Sequence, residues 1–134
     1  LDPREGVLSI ANAGHPPLLL VGGGKGLSAV HSEGIALGFD RGPVFDRTPK
    51  VVRLTLAPGD RVLLYTPGVT RVVGAKGEAL GEERFAALVK REAGHPAAVC
   101  LRRIAATVQK FRGETALNED VTLLTLGRRA GGGA

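Results

Sequence analysis

The chain has 134 residues, 43% hydrophobic and 23% charged, the balance of one globular domain long enough to bury a modest core. Its net charge of +5 and pI near 10.0 raise nucleic acid as a partner. However, the cations are dispersed through Arg41, Arg47, Lys50, Arg84, Arg102 and Lys110, and aromatics are 4% of the chain, too few for a base-stacking platform. No apolar run approaches the roughly 18 residues of a membrane span. The single cysteine, Cys100, excludes an internal disulfide framework and fits a reducing, cytoplasmic setting.

The opening Leu-Asp-Pro-Arg-Glu-Gly carries no secretory pattern and no initiator Met, which suggests an excised or processed portion of something longer. Val7 to Asn12 and Leu18 to Val21 are short apolar runs joined by Gly14-His15-Pro16-Pro17, and read as neighbouring antiparallel strands. The run Gly22 to Gly26 has a lysine among glycines but no Ser or Thr after it. It is therefore read as a flexible hairpin turn before a third strand around Leu27 to His31, not as a phosphate loop. Ser32 to Thr48 is rich in Gly, Pro, Asp and Arg and reads as irregular.

Leu54 and Leu56 alternate with Arg53 and Thr55 as in a half-buried strand. Pro58-Gly59-Asp60 has turn chemistry, and Arg61 to Tyr65 is the apolar run of a strand covered on both faces. Together these predict a central hairpin that stops at Thr66-Pro67-Gly68. Two amphipathic helices follow, Glu82 to Ala93 and Pro96 to Arg112. The first is marked by Phe85, Leu88 and Val89 and the second by Leu101, Ile104, Val108 and Phe111. Cys100 falls within the second pattern as a small buried hydrophobe. Val121 to Leu126 is a last strand, preceded by the adjacent acids Glu119 and Asp120, and residues 128–134 read as a disordered tail. The residues alone reach a β-rich α+β domain, with the two acids as solvated loop carboxylates, and no further.

Five stretches, in order, resemble a known family. They are L-D-P-R-E-G-V-L-S-I-A-N-A-G-H-P-P (1–17), G-I-A-L-G (34–38), L-A-P-G-D-R-V-L-L-Y-T-P-G-V-T (56–70), A-L-G-E-E-R-F (79–85) and N-E-D-V-T-L-L-T-L (118–126). They are similar to the C-terminal part of the PPM-type, metal-dependent serine/threonine phosphatases, in the branch resembling stage II sporulation protein E. The resemblance spans residues 1–127 and implies an α-β-β-α sandwich of antiparallel sheets, here without its N-terminal third. It also implies two Mn²⁺ or Mg²⁺ ions that activate a water against a phosphoserine or phosphothreonine. The implied partner is a small phosphorylated regulatory protein of the anti-sigma-factor antagonist type.

Against the family pattern, Pro67 stands where a metal-binding carboxylate is expected, and Arg71 where a Glu usually follows. Glu119 and Asp120 stand at the paired Asp-Asp position and are the implied metal residues. His15 and Gly68 fall near the implied active edge, His15 with a structural role at a strand end. The expectation is a phosphatase-like signalling domain with hydrolysis impaired or lost. The alternative is a pseudophosphatase that binds partners through its two helices. A sheet lacking its first strands also predicts a homodimer that covers the exposed face.

Overall fold

Strand residues 19, 21, 63, 65 and 123 turn one way and residues 18, 20, 62, 64 and 126 the other, and this alternation builds the layers. The computed structural model describes residues 1–22 and 26–129. Residues 23–25 of the run expected as a hairpin turn, and residues 130–134 of the expected tail, lie outside the described residues.

In chain order the elements are β1 (Val7–Ile10), β2 (Leu18–Gly22), β3 (Gly26–Val30), α1 (Pro43–Arg47), β4 (Val52–Thr55) and β5 (Arg61–Tyr65). A 3-10 turn (Pro67–Val69), α2 (Gly81–Glu92), α3 (Ala97–Arg112) and β6 (Leu123–Gly127) complete them. Four strands form one antiparallel sheet in the order β3-β2-β5-β6, and β1 pairs with β4 in a second, two-stranded sheet.

One face of the larger sheet is covered by α2 and α3. Leu19, Val21, Leu63 and Tyr65 pack there against Phe85, Leu88, Val89, Cys100, Ile104 and Val108. The Tyr65 and Phe85 rings meet at 4.8 Å between centroids, anchoring the end of β5. Burial raises the Tyr65 pKa, with a smaller push from Glu82. The other face packs Leu18 and Val62 against Leu56, Leu8, Ile10 and Leu54 of the smaller sheet. The described residues thus form helix, sheet and sheet layers, an α+β sandwich of antiparallel sheets. On the inner face of β6, Leu124 remains 58% exposed in a groove it shares with Leu8, Ser9 and Ile10 of β1.

Two expected pairings are corrected. The run 54–65 is not a hairpin: β4 pairs with β1 in register Leu8↔Leu54, while β5 lies between β2 and β6. The Ala57–Asp60 turn forms as expected, with Asp60 N–H donating to the Ala57 carbonyl and Gly59 at φ +93°, but it carries the chain from one sheet to the other. Likewise β1 and β2 are not neighbours, and the Gly-His-Pro-Pro connection crosses between the sheets. In both cases the alternation decides which face is buried and leaves the partner open.

Within the stretch expected to be irregular, Pro43–Arg47 forms one short helix. Asp40 Oδ2 accepts from the N–H groups of Gly42, Val44 and Phe45. Those donors hold the Asp40 carboxyl below its ordinary pKa, Phe45 and Gly42 contributing most. Arg128, just past β6, is hydrogen-bonded back to the fold. Arg128 N–H donates to the Asp60 carbonyl, its own carbonyl accepts from Gly59, and its Nη1 reaches the Leu56 carbonyl.

Candidate functional site

Antiparallel pairing sends the C-terminal end of β5 and the N-terminal ends of β2 and β6 to one end of the sheet. Tyr65 is opposite Leu123, and Leu18 of β2 is opposite Val30 of β3. The loops 11–17, 31–51, 66–70 and 118–122 all leave from that end.

Thr66 stitches two of these loops together. Its N–H donates to the Thr122 carbonyl at 3.1 Å, its Oγ1 donates to the Asp120 carbonyl at 2.7 Å, and the same Oγ1 accepts from Thr122 N–H at 2.9 Å. Pro67 then opens the 3-10 turn at a position that suits its fixed φ, and its carbonyl accepts from the N–H groups of Thr70 and Arg71 and from Thr70 Oγ1. Gly68 is buried, and a Cβ there would collide with the Asp120 carbonyl oxygen. The glycine lets loop 118–122 lie directly on the turn.

The turn aims Arg71 back across the same junction. Its Nη1 donates to both carboxylate oxygens of Glu119, at 3.0 and 3.1 Å. Both side chains are partly exposed, so the pair is worth no more than about 1 kcal/mol to stability. Its weight is chemical, because it commits both Glu119 oxygens to a cation that does not titrate. Residues 68 and 71, with Leu117, Asn118 and Glu119, line one small cleft.

Pro67, Gly68, Arg71, Glu119 and Asp120 are therefore brought together. Asp120 enters the junction through its backbone carbonyl. His15 leaves from the same end of the sheet but lines a different cleft, with Ile10, Leu18, Val30 and Leu64. Its N–H donates to Asn12 Oδ1 at 2.7 Å, its carbonyl accepts from Asn12 Nδ2, and its Nδ1 lies 2.8 Å from the Pro16 carbonyl.

Sequence reasoning missed the Arg71–Glu119 pair and the Thr66 bridge, whose partners lie 48 or more residues apart. A charge reversal at position 71 beside a retained acid at 119 was the one available signal.

The donor set does not fit a dinuclear metal centre. Pro67 offers no side-chain oxygen, and both Glu119 oxygens face Arg71, so this junction supplies neither carboxylate free for a divalent ion.

The model of the family described as stage II sporulation protein E (SpoIIE) matches residues 1–129. No curated protein matches the chain. Among solved structures, the SiaA-PP2C domain of Pseudomonas aeruginosa superposes with a TM-score of 0.73 at 24% identity, over 92% of this chain and 47% of that one. The RsbU and RsbW domains of Rv1364c from Mycobacterium tuberculosis give 0.68 at 32% identity, over 94% of this chain and 33% of that one. A SpoIIE phosphatase domain from Bacillus subtilis, presoaked with Mn, gives 0.66 at 15% identity, over 99% and 55%. The chain thus spans between a third and just over half of these structures' lengths.

Proposed function

Because the chain belongs to the stage II sporulation protein E family, we propose that it is part of a bacterial signalling phosphatase domain whose own hydrolytic step is impaired or lost. The family reaction is metal-dependent removal of phosphate from serine or threonine of a regulatory protein. The observation that carries the reading is the Arg71 guanidinium held on both oxygens of Glu119 beside Pro67. A divalent cation at this junction would have to displace a permanent positive charge and then sit next to it, with one carboxylate position replaced by a ring that cannot coordinate. Glu119 and Asp120 keep the acids of the site, without the arrangement that binds two ions.

The direct test is hydrolysis of p-nitrophenyl phosphate and of a phosphoserine peptide with millimolar Mn²⁺. The expected result is no turnover above the protein-free rate, and saturable Mn²⁺-dependent turnover would overturn the reading.

One observation favours a second reading, a pseudophosphatase module that binds its partner without changing it. Leu37, Phe39 and Val44 are 75%, 85% and 53% exposed on the 31–51 segment, which leaves from the same end as the candidate site. Exposed apolar side chains beside Arg41 and Arg47 suit a partner with an apolar and acidic face. A phosphorylated regulatory protein of the anti-sigma-factor antagonist type, met in the cytoplasm, is the proposed partner. Self-association over the Leu124 face is proposed alongside it. No helix among the described residues is long and apolar enough to cross a membrane.

A further inference from the structure

The opposite end of the sheet carries a second concentration of charge. A cavity of about 540 Å³ opens between the start of β5, the end of β6 and the N-terminus of α3, lined by Arg61, Arg128, Arg129, Asp60, Pro96 and Ala97 among others. Arg61 shares the helix-facing side of β5 with Leu63 and Tyr65, and its guanidinium lies against the Cys100 thiol of α3. Burial pushes that thiol's pKa up, and the nearby Arg61 charge opposes the push. Arg61 Nη1 is itself buried and has no hydrogen-bond partner among the described residues.

None of the three arginines is ion-paired to a carboxylate among the described residues. Arg128 Nη1 donates to the Glu5 and Leu56 carbonyls, which fix its position without cancelling its charge. Asp60 is the acid on the wall, and its Oδ2 accepts from Ala57 N–H, so the lining carries a net charge of +2. In addition, α3 begins here with no side-chain cap and no acid in its first turn. Its unbonded N–H groups add the positive end of the helix dipole to the same cavity.

A guanidinium beneath the positive end of a helix is unfavourable on its own, and a buried donor without an acceptor costs the loss of its hydration. An oxyanion in the cavity offsets the Arg61 charge, and its oxygens can accept from exposed Arg129 and from the first-turn N–H groups of α3. Phosphate fits best, because a guanidinium fork matches its geometry and a dianion matches the +2 lining. The cavity also has room for part of the group that carries the phosphate.

We infer that this cavity binds a phosphate-class oxyanion, at a site separate from the Thr66–Glu119 junction. The inference does not rest on the proposed function, since its residues lie at the other end of β5.

The test is calorimetric titration of the full chain at low salt with inorganic phosphate and with phosphoserine. It is run on the wild type, Ala97→Glu, Arg61→Gln and Arg71→Ala. Ala97 is exposed at the first turn of α3, where an acid suits the helix, so Ala97→Glu folds and places its own carboxylate in the cavity. Saturable binding is expected for the wild type and for Arg71→Ala, weakened about tenfold or more in Ala97→Glu and Arg61→Gln. Ala97→Glu is also expected to melt at a higher temperature than wild type, its carboxylate supplying the missing countercharge. If phosphoserine binds more tightly than phosphate, the source is a phosphorylated side chain; the reverse order identifies free phosphate. Absence of saturable binding to the wild type would overturn the inference. So would undiminished binding to Ala97→Glu, or equal weakening by Arg71→Ala. If Arg61→Gln does not fold, Ala97→Glu decides alone.

Discussion

Two glutamates in this molecule are held by arginine, and they have little else in common. Glu92, at the end of α2, is buried between the helices, where its carboxylate accepts from Arg91 Nε and Arg103 Nε with His95 Nε2 3.5 Å away. Glu119, at the junction of two loops, is 43% exposed and, among the described residues, is ion-paired with Arg71. The first cluster joins α2 to α3 from inside, where an unpaired charge is costly and partners must remain. The second lies in water, where either partner can leave at little cost to the fold. Ion pairing alone therefore does not mark a functional position. Glu119 is proposed to matter for its place beside Pro67, and Glu92 matters to the fold because of its burial.

The largest effect is expected from breaking the buried cluster. Arg103→Ala strips Glu92 of a partner it cannot replace with water, and should lower the melting temperature several-fold more than Arg71→Ala does. Equal losses in thermal denaturation would erase the contrast. The same cluster sets a pH dependence. Hydrogen bonds from Arg91 and then Arg103 depress the Glu92 pKa against the opposing effect of burial. Its stabilisation is thus fully present above the ordinary glutamate range and lost as pH falls through the depressed folded value. A melting-temperature profile from pH 6 to pH 3 should fall more steeply for wild type than for Glu92→Gln, and parallel profiles would remove Glu92 from the account.

Gly68→Ala comes next. The added methyl meets the Asp120 carbonyl and Glu119 Cβ, so loop 118–122 must move away from the turn. A loss of about 1–3 kcal/mol in urea unfolding is expected, with the Arg71–Glu119 contact opened as well. The smallest effect is that of Arg71→Ala, under about 1 kcal/mol in the same assay. A larger loss would mean that the exposed pair holds the two loops together.

Much of the fold was legible because burial leaves a period. Phe85, Leu88 and Val89 mark α2, Ile104 and Val108 mark α3, and Leu63-Leu64 marks a strand covered on both faces. What could not be read was pairing. The alternation at Leu54 and Leu56 differs from the continuous run of β5, which separates a one-sided strand from a two-sided one. Only the assembled sheets show that a turn as ordinary as Pro58-Gly59-Asp60 passes between layers. At the site, resemblance to a family drew attention to Pro67, Arg71, Glu119 and Asp120. That Arg71 reaches Glu119 depends on β5 and β6 being neighbours, which no local pattern carries. Arg61 was hidden for the opposite reason, since at the head of an apolar strand it reads as an ordinary boundary charge.

Pro67 and the Arg71–Glu119 pair are together proposed to leave no place for the family's metal ions at this junction. Mn²⁺ titration by calorimetry, comparing the wild type with the double variant Pro67→Asp, Arg71→Glu, tests this most directly. No saturable binding is expected for the wild type, and at least about tenfold tighter binding once both acids are restored. Wild-type binding as tight as that of the double variant would contradict it.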